Sequence, residues 1–158
     1  MSDTKTYGRG TIILRQGEPG DCMYVVQSGR VGIFQDYGQP QEKKIAELMS
    51  GEYFGEMSLL DHEPRSATAV VLDSDTMLTT VTEETFLNFF KENPAKVLML
   101  AQQMCHRLRR TTEDYVEACK TVYESVEADK TGAPKSEGLL ERIGKLCTAY
   151  LNFVRKGD

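Results

Sequence analysis

Short apolar runs separated by turn residues fill the first half of the chain. Residues 11–14, 22–26, 31–34, 44–48, 67–72 and 77–81 are rich in β-branched and other apolar side chains. Glycine, proline and aspartate cluster between several of these runs, as in the segment Gly-Glu-Pro-Gly-Asp at residues 17–21. Short strands at regular spacing with turn signals between them predict a β-sandwich or β-barrel.

The pattern changes to helical spacing after residue 81. Thr82 followed by Glu83 and Glu84 is typical of a helix start, and this short helix should end near residues 93–94. A long helix is then predicted over residues 94–128, because apolar or small residues recur at alternating steps of four and three. These positions are Val97, Ala101, Met104, Leu108, Thr111, Tyr115, Ala118, Val122 and Ser125.

Heptad spacing on the long helix favours a homodimer with a two-stranded seam. A helix of roughly thirty residues has more apolar surface than one small β domain covers. The alternative is a helix that packs only on its own β domain. We refer to the nine positions above as the seam.

The end of the chain combines a predicted linker with a predicted amphipathic helix. Residues 129–138 contain glycine, proline and serine, and residues 139–158 follow as one helix. Its apolar face should bury against the β domain, the long helix or a partner protein, and these three possibilities stay open. One helix is too little for a helix-turn-helix pair, so we do not expect this chain to bind DNA. The residues of the face are Leu139, Leu140, Ile143, Leu146, Cys147, Tyr150, Leu151 and Val154.

Composition excludes several other classes of protein. The net charge of -5 over 158 residues argues against non-specific nucleic-acid binding. Four scattered cysteines indicate neither a zinc site nor a disulfide framework, so we expect reduced thiols, no metal and no cofactor. The start of the chain is polar, and the longest apolar run, 97–101, is too short to span a bilayer. We therefore expect a cytoplasmic protein without a membrane segment.

Catalytic chemistry is not indicated by the sequence. The two histidines, His62 and His106, belong to no visible triad, carboxylate pair or metal motif. Hydrolysis of a bound molecule would need a base or a metal that the pattern does not supply. We expect a binding protein and not an enzyme.

Residues 54–68 carry the most specific chemistry, and their sequence is FGEMSLLDHEPRSAT. The planar guanidinium of Arg65 matches two phosphate oxygens with parallel hydrogen bonds. Ser66 and Ala67 are small, so their backbone N–H groups can approach the same anion. Gly55 permits tight backbone geometry, and Glu56 is suited to accept a hydrogen bond from a sugar hydroxyl while Arg65 neutralises its charge. The segment predicts a ligand with both a phosphate and a sugar.

This segment resembles the phosphate-binding cassette of the cyclic nucleotide-binding domain family. The family pattern F-G-E-x-x-L-x-x-x-x-P-R-[ST]-A-[ST] is met at every fixed position. The layout of residues 16–21 and 24–29 is also similar to that family, with Gly17 and Gly29 as turn glycines. The resemblance implies an α+β, mainly β fold, in which residues 1–93 form an eight-stranded jelly-roll-like β-roll, followed by a dimerisation helix and a short C-terminal helix.

Residues 102–113 resemble the dimerisation helix of the bacterial catabolite activator protein subgroup. In that subgroup a pair of hydroxyl residues touches the purine, one from each subunit, and the resemblance assigns this role to Thr111 and Thr112. It also places Leu14 and Ile45 in an apolar wall near the base. The alternative for Thr111 is a polar seam residue that only fixes the register of the two helices.

The resemblance implies a regulatory protein that binds cyclic AMP and signals to an unidentified protein partner through its C-terminal helices. Ser66 favours cyclic AMP, because a threonine at this position favours cyclic GMP in some eukaryotic relatives. Cyclic GMP, haem or another effector of the same fold remains open. So does an interaction module that has lost its response to ligand.

Overall fold

A computed structural model describes residues 3–92 and 94–131, with the side chains of the last helix described as far as residue 124. The predicted helix over residues 139–158 lies outside the described residues, as do residues 132–138 of the predicted linker. The strands are β1 (Asp3–Tyr7), β2 (Ile12–Leu14), β3 (Cys22–Ser28), β4 (Val31–Gln35), β5 (Lys43–Leu48), β6 (Tyr53–Phe54), β7 (Thr68–Val71) and β8 (Thr76–Thr82). The helices are α1 (Glu56–Asp61), α2 (Glu83–Lys91) and α3 (Ala95–Thr131).

The described strands form two antiparallel four-stranded sheets. One has the order β1-β8-β3-β6 and the other the order β2-β7-β4-β5. Except for β4 and β5, neighbouring strands are not consecutive in the chain, as when β3 pairs with β8 along six residue pairs from Cys22–Thr82 to Ser28–Met77. The eight-stranded β-roll followed by a long helix is confirmed.

Two apolar clusters stabilise the β-roll, and β6 contributes to both. Phe54 belongs to a cluster with residues of β3, β4, β5, β7 and β8. Tyr53 belongs to a second cluster that also contains Leu59 of α1, Phe89 and Phe90 of α2, and Leu100 of α3. Successive side chains of a strand point to opposite faces, so the two-residue strand β6 joins the cores. The backbone leaving β6 is therefore fixed from both sides.

The two later helices begin near the predicted residues. Thr82 precedes α2, and its backbone N–H donates to Thr85 Oγ1 at 3.0 Å, which confirms the predicted helix start. α3 begins at Ala95 and continues to Thr131, past the predicted end at residue 128. The first three residues of the predicted linker are thus helical, because they tolerate a helix and Gly132 is the first strong helix breaker.

The chain divides into two compact units between Gln103 and Met104. The first unit contains the β-roll, α1, α2 and the first turns of α3. Within the described residues, no helix is both long and apolar enough to cross a membrane.

Candidate functional site

A sharp turn at Gly55 lies near the start of the predicted cassette. Gly55 follows β6 directly and adopts a left-handed conformation, with φ 76°, as the N-cap of α1. An added Cβ would lie 2.9 Å from Arg65 Nη1 and 3.0 Å from Leu14 Cδ1. Both the backbone angle and the close approach require glycine here. The turn brings together three of the residues that the sequence assigned to ligand binding, namely Leu14, Gly55 and Arg65.

The backbone of Arg65 is held by the turn that follows β2. Arg65 N–H donates to Glu18 O at 2.8 Å, and Gly17 N–H donates to Arg65 O at 2.8 Å. Gly17 has φ 83°, which agrees with its predicted role as a turn glycine. These two hydrogen bonds fix the peptide groups on both sides of Arg65, and so the direction in which its side chain leaves the backbone.

The Arg65 side chain is buried, with 5% of the residue exposed. Its Nη1 donates to Gly55 O at 2.7 Å, and its Nη2 donates to Cys22 Sγ at 3.6 Å. Gly20 lies against the same group, because an added Cβ there would be 2.0 Å from the guanidinium Cζ. A guanidinium carries five N–H donors, more than these two contacts use. The remaining N–H donors suit an anionic ligand.

Cys22 and Tyr24 extend this contact along β3. Cys22 Sγ donates to Tyr24 Oη at 3.6 Å, and the Tyr24 ring stacks on Phe54 with centroids 5.2 Å apart. Burial, followed by the hydrogen bond with Cys22, raises the pKa of Tyr24 well above its ordinary value. Tyr24 therefore stays neutral at physiological pH, and the charge at this point belongs to Arg65.

Glu56 is the first residue of α1, and only 1% of it is exposed. A carboxylate buried this deeply is stable only among hydrogen-bond donors or positive charges. Its place at the start of a helix is favourable for a negative charge. Burial of both Glu56 and Arg65 in one segment gives the site one acceptor and one cation, which suits a ligand with a hydroxyl and an anionic group.

The remaining cassette residues form the loop into β7. Ser66 and Ala67 are half-buried, and Ser66 Oγ donates to Met57 Sδ at 3.8 Å. Thr68 is buried and accepts a hydrogen bond from Gln16 N–H at 3.1 Å. The loop is thus attached to α1 at one end and to the turn after β2 at the other. The contact of Ser66 and Ala67 with a phosphate stays a prediction.

The predicted purine residues occupy different parts of the chain. Leu14 lies on β2 and packs against the cluster that contains Phe54. Ile45 is half-buried on β5, at a point where the register shifts between Ile33 and Phe34, so that Ile45 is the extra residue of a bulge. Of the two, only Leu14 is seen next to the cassette.

Thr111 and Thr112 belong to the second unit. Both are exposed, and their hydroxyls donate to backbone oxygens one turn earlier, Arg107 O at 3.0 Å and Leu108 O at 2.9 Å. These bonds within the helix are common for threonine and leave the hydroxyl oxygens able to accept. Contact of either residue with a purine stays a prediction.

Sequence reasoning missed three residues that surround Arg65, namely Gly20, Cys22 and Tyr24. The turn at residues 17–21 was identified as part of the layout, but its contact with Arg65 was not. The sequence did carry a usable signal, namely the dense turn at residues 17–21 directly before β3. A glycine in such a turn allows another element to approach the backbone closely, as Arg65 approaches Gly20. Around the site and elsewhere in the described part of the chain, no three His, Cys, Asp or Glu residues are grouped to hold a metal ion.

Gly20→Ala should displace the Arg65 guanidinium, because the new Cβ would overlap its position. Loss of the bond to Gly55 O should lower the free energy of unfolding by about 1–2 kcal/mol. Urea unfolding measures this change, and the NMR signal of Arg65 Nε–Hε reports the displacement directly. Gly8→Ala is the matched control, since no heavy atom lies within 4 Å of a Cβ there. Equal stability and an unmoved Arg65 signal in both variants would contradict this geometry.

Comparison with known proteins gives a consistent family match. The cyclic nucleotide-binding domain family matches residues 4–93, which is more than half of the chain. The cyclic AMP receptor protein of Thermus thermophilus is 40% identical over 105 residues, covering 66% of this chain and 48% of that protein. Human cGMP-dependent protein kinase 2 is 33% identical over 85 residues, covering 53% of this chain and 11% of the kinase. The chain thus spans about half or less of these relatives.

Solved structures show the same similarity. The Thermus thermophilus catabolite activator protein superposes with a TM-score of 0.64 at 28% identity, covering 99% of this chain and 79% of that one. The EAL enzyme Bd1971 superposes with a TM-score of 0.53 at 32% identity, covering 71% of this chain and 99% of that one.

Proposed function

The chain belongs to the cyclic nucleotide-binding domain family, and we propose that it is a regulatory sensor that binds cyclic AMP at the cassette of residues 54–68. The observation that carries this proposal is the buried guanidinium of Arg65, already oriented at the left-handed turn of Gly55. The guanidinium has more N–H donors than its contacts with Gly55 O and Cys22 Sγ use, which supports a role in binding an anion.

Recognition of the phosphate depends on Arg65 and the loop behind it. A cyclic phosphate diester has one negative charge and two free oxygens, which two parallel N–H groups of a guanidinium match. Ser66 and Ala67 follow Arg65 and are small, so their backbone N–H groups can reach the same oxygens. The hydrogen bonds with Glu18 and Gly17 hold the Arg65 backbone before binding, so little conformational entropy is lost on binding.

Recognition of the ribose is assigned to Glu56 and Gly55. The Glu56 carboxylate is positioned at the start of α1 and accepts a hydrogen bond from the 2′-hydroxyl in this proposal. Linear nucleotides carry a second negative charge on the phosphate, and a buried carboxylate nearby disfavours it. The same pair of residues therefore selects a cyclic, singly charged phosphate.

Recognition of the base is the finer part of the proposal. Leu14 beside Gly55 supplies apolar surface, with Ile45 on β5 as a second apolar residue. Thr111 and Thr112 contribute hydroxyls from α3. Ser66 favours cyclic AMP, while cyclic GMP is the second candidate. Both nucleotides appear in the names of similar proteins, the Thermus cyclic AMP receptor protein and the human cGMP-dependent kinase.

Dimerisation through α3 completes the proposed sensor. Most of the seam is exposed in the single chain, including Leu108 at 68% and Tyr115 at 62%. Apolar side chains at heptad spacing bury when a second copy of the helix packs against them. The proposed output is a changed surface on the C-terminal helices, offered to a protein partner. Its predicted element, residues 139–158, lies outside the described residues.

Arg65→Lys should lose about 2–4 kcal/mol of binding free energy for cyclic AMP, because an ammonium cannot supply the parallel pair of donors. Isothermal titration calorimetry with cyclic AMP, cyclic GMP and linear AMP measures the affinity of both proteins. Arg9→Lys is the control, since Arg9 is exposed in a turn remote in sequence from the cassette. Wild-type protein that binds neither cyclic nucleotide would contradict the proposed function. An Arg65→Lys variant with unchanged affinity would contradict the phosphate assignment.

Leu108→Glu should dissociate the proposed dimer, because it places two like charges in the centre of the seam. Light scattering over a concentration series measures the molar mass of wild type and variant. Arg109→Glu is the control on the adjacent position, which is also exposed but lies outside the heptad pattern. Wild-type protein that remains a monomer at tens of micromolar, with and without nucleotide, would exclude the seam.

A further inference from the structure

A glutamine from the long helix binds both peptide groups of the residue in β6 that precedes the cassette. Tyr53 N–H donates to Gln103 Oε1 at 2.9 Å, and Gln103 Nε2 donates to Tyr53 O at 2.8 Å. A carboxamide has one acceptor oxygen and one NH₂ donor group, so these two bonds also define the orientation of the Gln103 amide. We call this pair of hydrogen bonds the Gln103 clamp.

The clamp takes the place of a neighbouring strand. β6 is the last strand of its sheet and pairs with β3, where Val26 N–H donates to Glu52 O at 3.0 Å. Adjacent residues of an antiparallel strand present their peptide groups to opposite edges. Tyr53 therefore presents its N–H and C=O to the outer edge of the sheet, and the side chain of Gln103 meets them there as a strand would.

An apolar contact fixes the same part of α3. Leu100 lies one helical turn before Gln103, on the same side of the helix, and is buried in the cluster with Tyr53 and Leu59. The cluster thus links α3 to β6 and to α1, the helix that begins with Glu56. Hydrogen bonds and apolar packing together set the position of β6 relative to the first turns of α3.

We propose that Gln103 is a positioning residue for ribose recognition, acting through the β6 backbone on Glu56, which follows Tyr53 by three residues. This inference rests on the proposed binding of a cyclic nucleotide. Phe54 and Gly55, the residues between, leave little freedom, because Phe54 is buried between the sheets and the Gly55 turn is packed against Leu14 and Arg65. A shift of Tyr53 is therefore passed on to Glu56.

Arg65 depends much less on the clamp. Its backbone is held by Glu18 and Gly17 in the turn after β2, and its side chain meets this segment at Gly55. Removing the clamp should thus weaken the ribose contact more than the phosphate contact. A residue that merely supported the fold would weaken both equally.

The test compares wild type, Gln103→Met and Gln102→Met by calorimetry with cyclic AMP and its 2′-deoxy analogue. Methionine keeps the length of the side chain but loses both hydrogen bonds to Tyr53. We expect Gln103→Met to bind cyclic AMP about tenfold more weakly, since a displaced Glu56 makes a weaker hydrogen bond with the ribose hydroxyl. Its preference for cyclic AMP over the 2′-deoxy analogue should fall by at least about threefold. Gln102→Met changes an exposed residue on the same helix and should match wild type.

Hydrogen exchange of the wild-type protein provides a second test that does not need a folded variant. Coupling between two sites is reciprocal, so cyclic AMP should slow exchange of the Tyr53 amide, whose acceptor is Gln103. An unchanged preference for the ribose hydroxyl in folded Gln103→Met would overturn the inference, whatever its absolute affinity. If that variant does not fold, an unchanged Tyr53 exchange rate in saturated wild type overturns it. Wild type that binds no cyclic nucleotide would instead refute the proposed function on which the inference depends.

Discussion

The buried guanidinium of Arg65 is the constraint on which the rest of the site depends. Gly20, Cys22 and Gly55 come from two separate stretches of chain, and all three contact or crowd this one group. At Gly20 a Cβ would overlap the guanidinium, and at Gly55 it would lie 2.9 Å from Nη1 on a left-handed backbone. A buried charge is costly unless it is hydrogen-bonded, so the surrounding backbone must leave room for the guanidinium and supply acceptors to it. The β-roll supplies those backbones before any ligand arrives.

Strand β6 connects this site to both apolar clusters and to the first turns of α3. It is only two residues long, yet its side chains enter both apolar clusters and its outer edge accepts Gln103. The cassette begins at the second residue of this strand, Phe54. The residue before the cassette thus contacts the first turns of α3 through hydrogen bonds and apolar packing. A ligand shifts an equilibrium only through contacts that differ between states, and in the proposed function these are the contacts that would carry a shift of the cassette to α3.

The sequence predicted the class of fold well, because strands, turns and helix starts depend on local patterns. Strand runs, turn glycines such as Gly17, and the helix start at Thr82 all follow from short-range preferences. The family resemblance supplied the eight-stranded roll, which periodicity alone left as a sandwich or barrel. The long helix continued past its predicted end at residue 128, since residues 129–131 have ordinary helix propensity.

Contacts between distant residues could not be predicted in this way. The neighbours of Arg65, Gly20 and Cys22, are more than forty positions away, and no spacing rule connects them. The same is true of Gln103, whose partner lies 50 residues earlier in the chain. In the sequence, Gln103 is one of several polar residues on a predicted helix. Its role is visible only when β6 is seen to end a sheet at that point.

The central claim is that one buried segment recognises a phosphate through Arg65 and a ribose hydroxyl through Glu56. A double-mutant cycle tests it most directly, with calorimetric titration of wild type and Glu56→Gln by cyclic AMP and by its 2′-deoxy analogue. Each single change should cost about 1–3 kcal/mol of binding free energy, and the two together should cost little more than either alone. Fully additive losses, or a wild-type protein that does not distinguish the two nucleotides, would contradict the account.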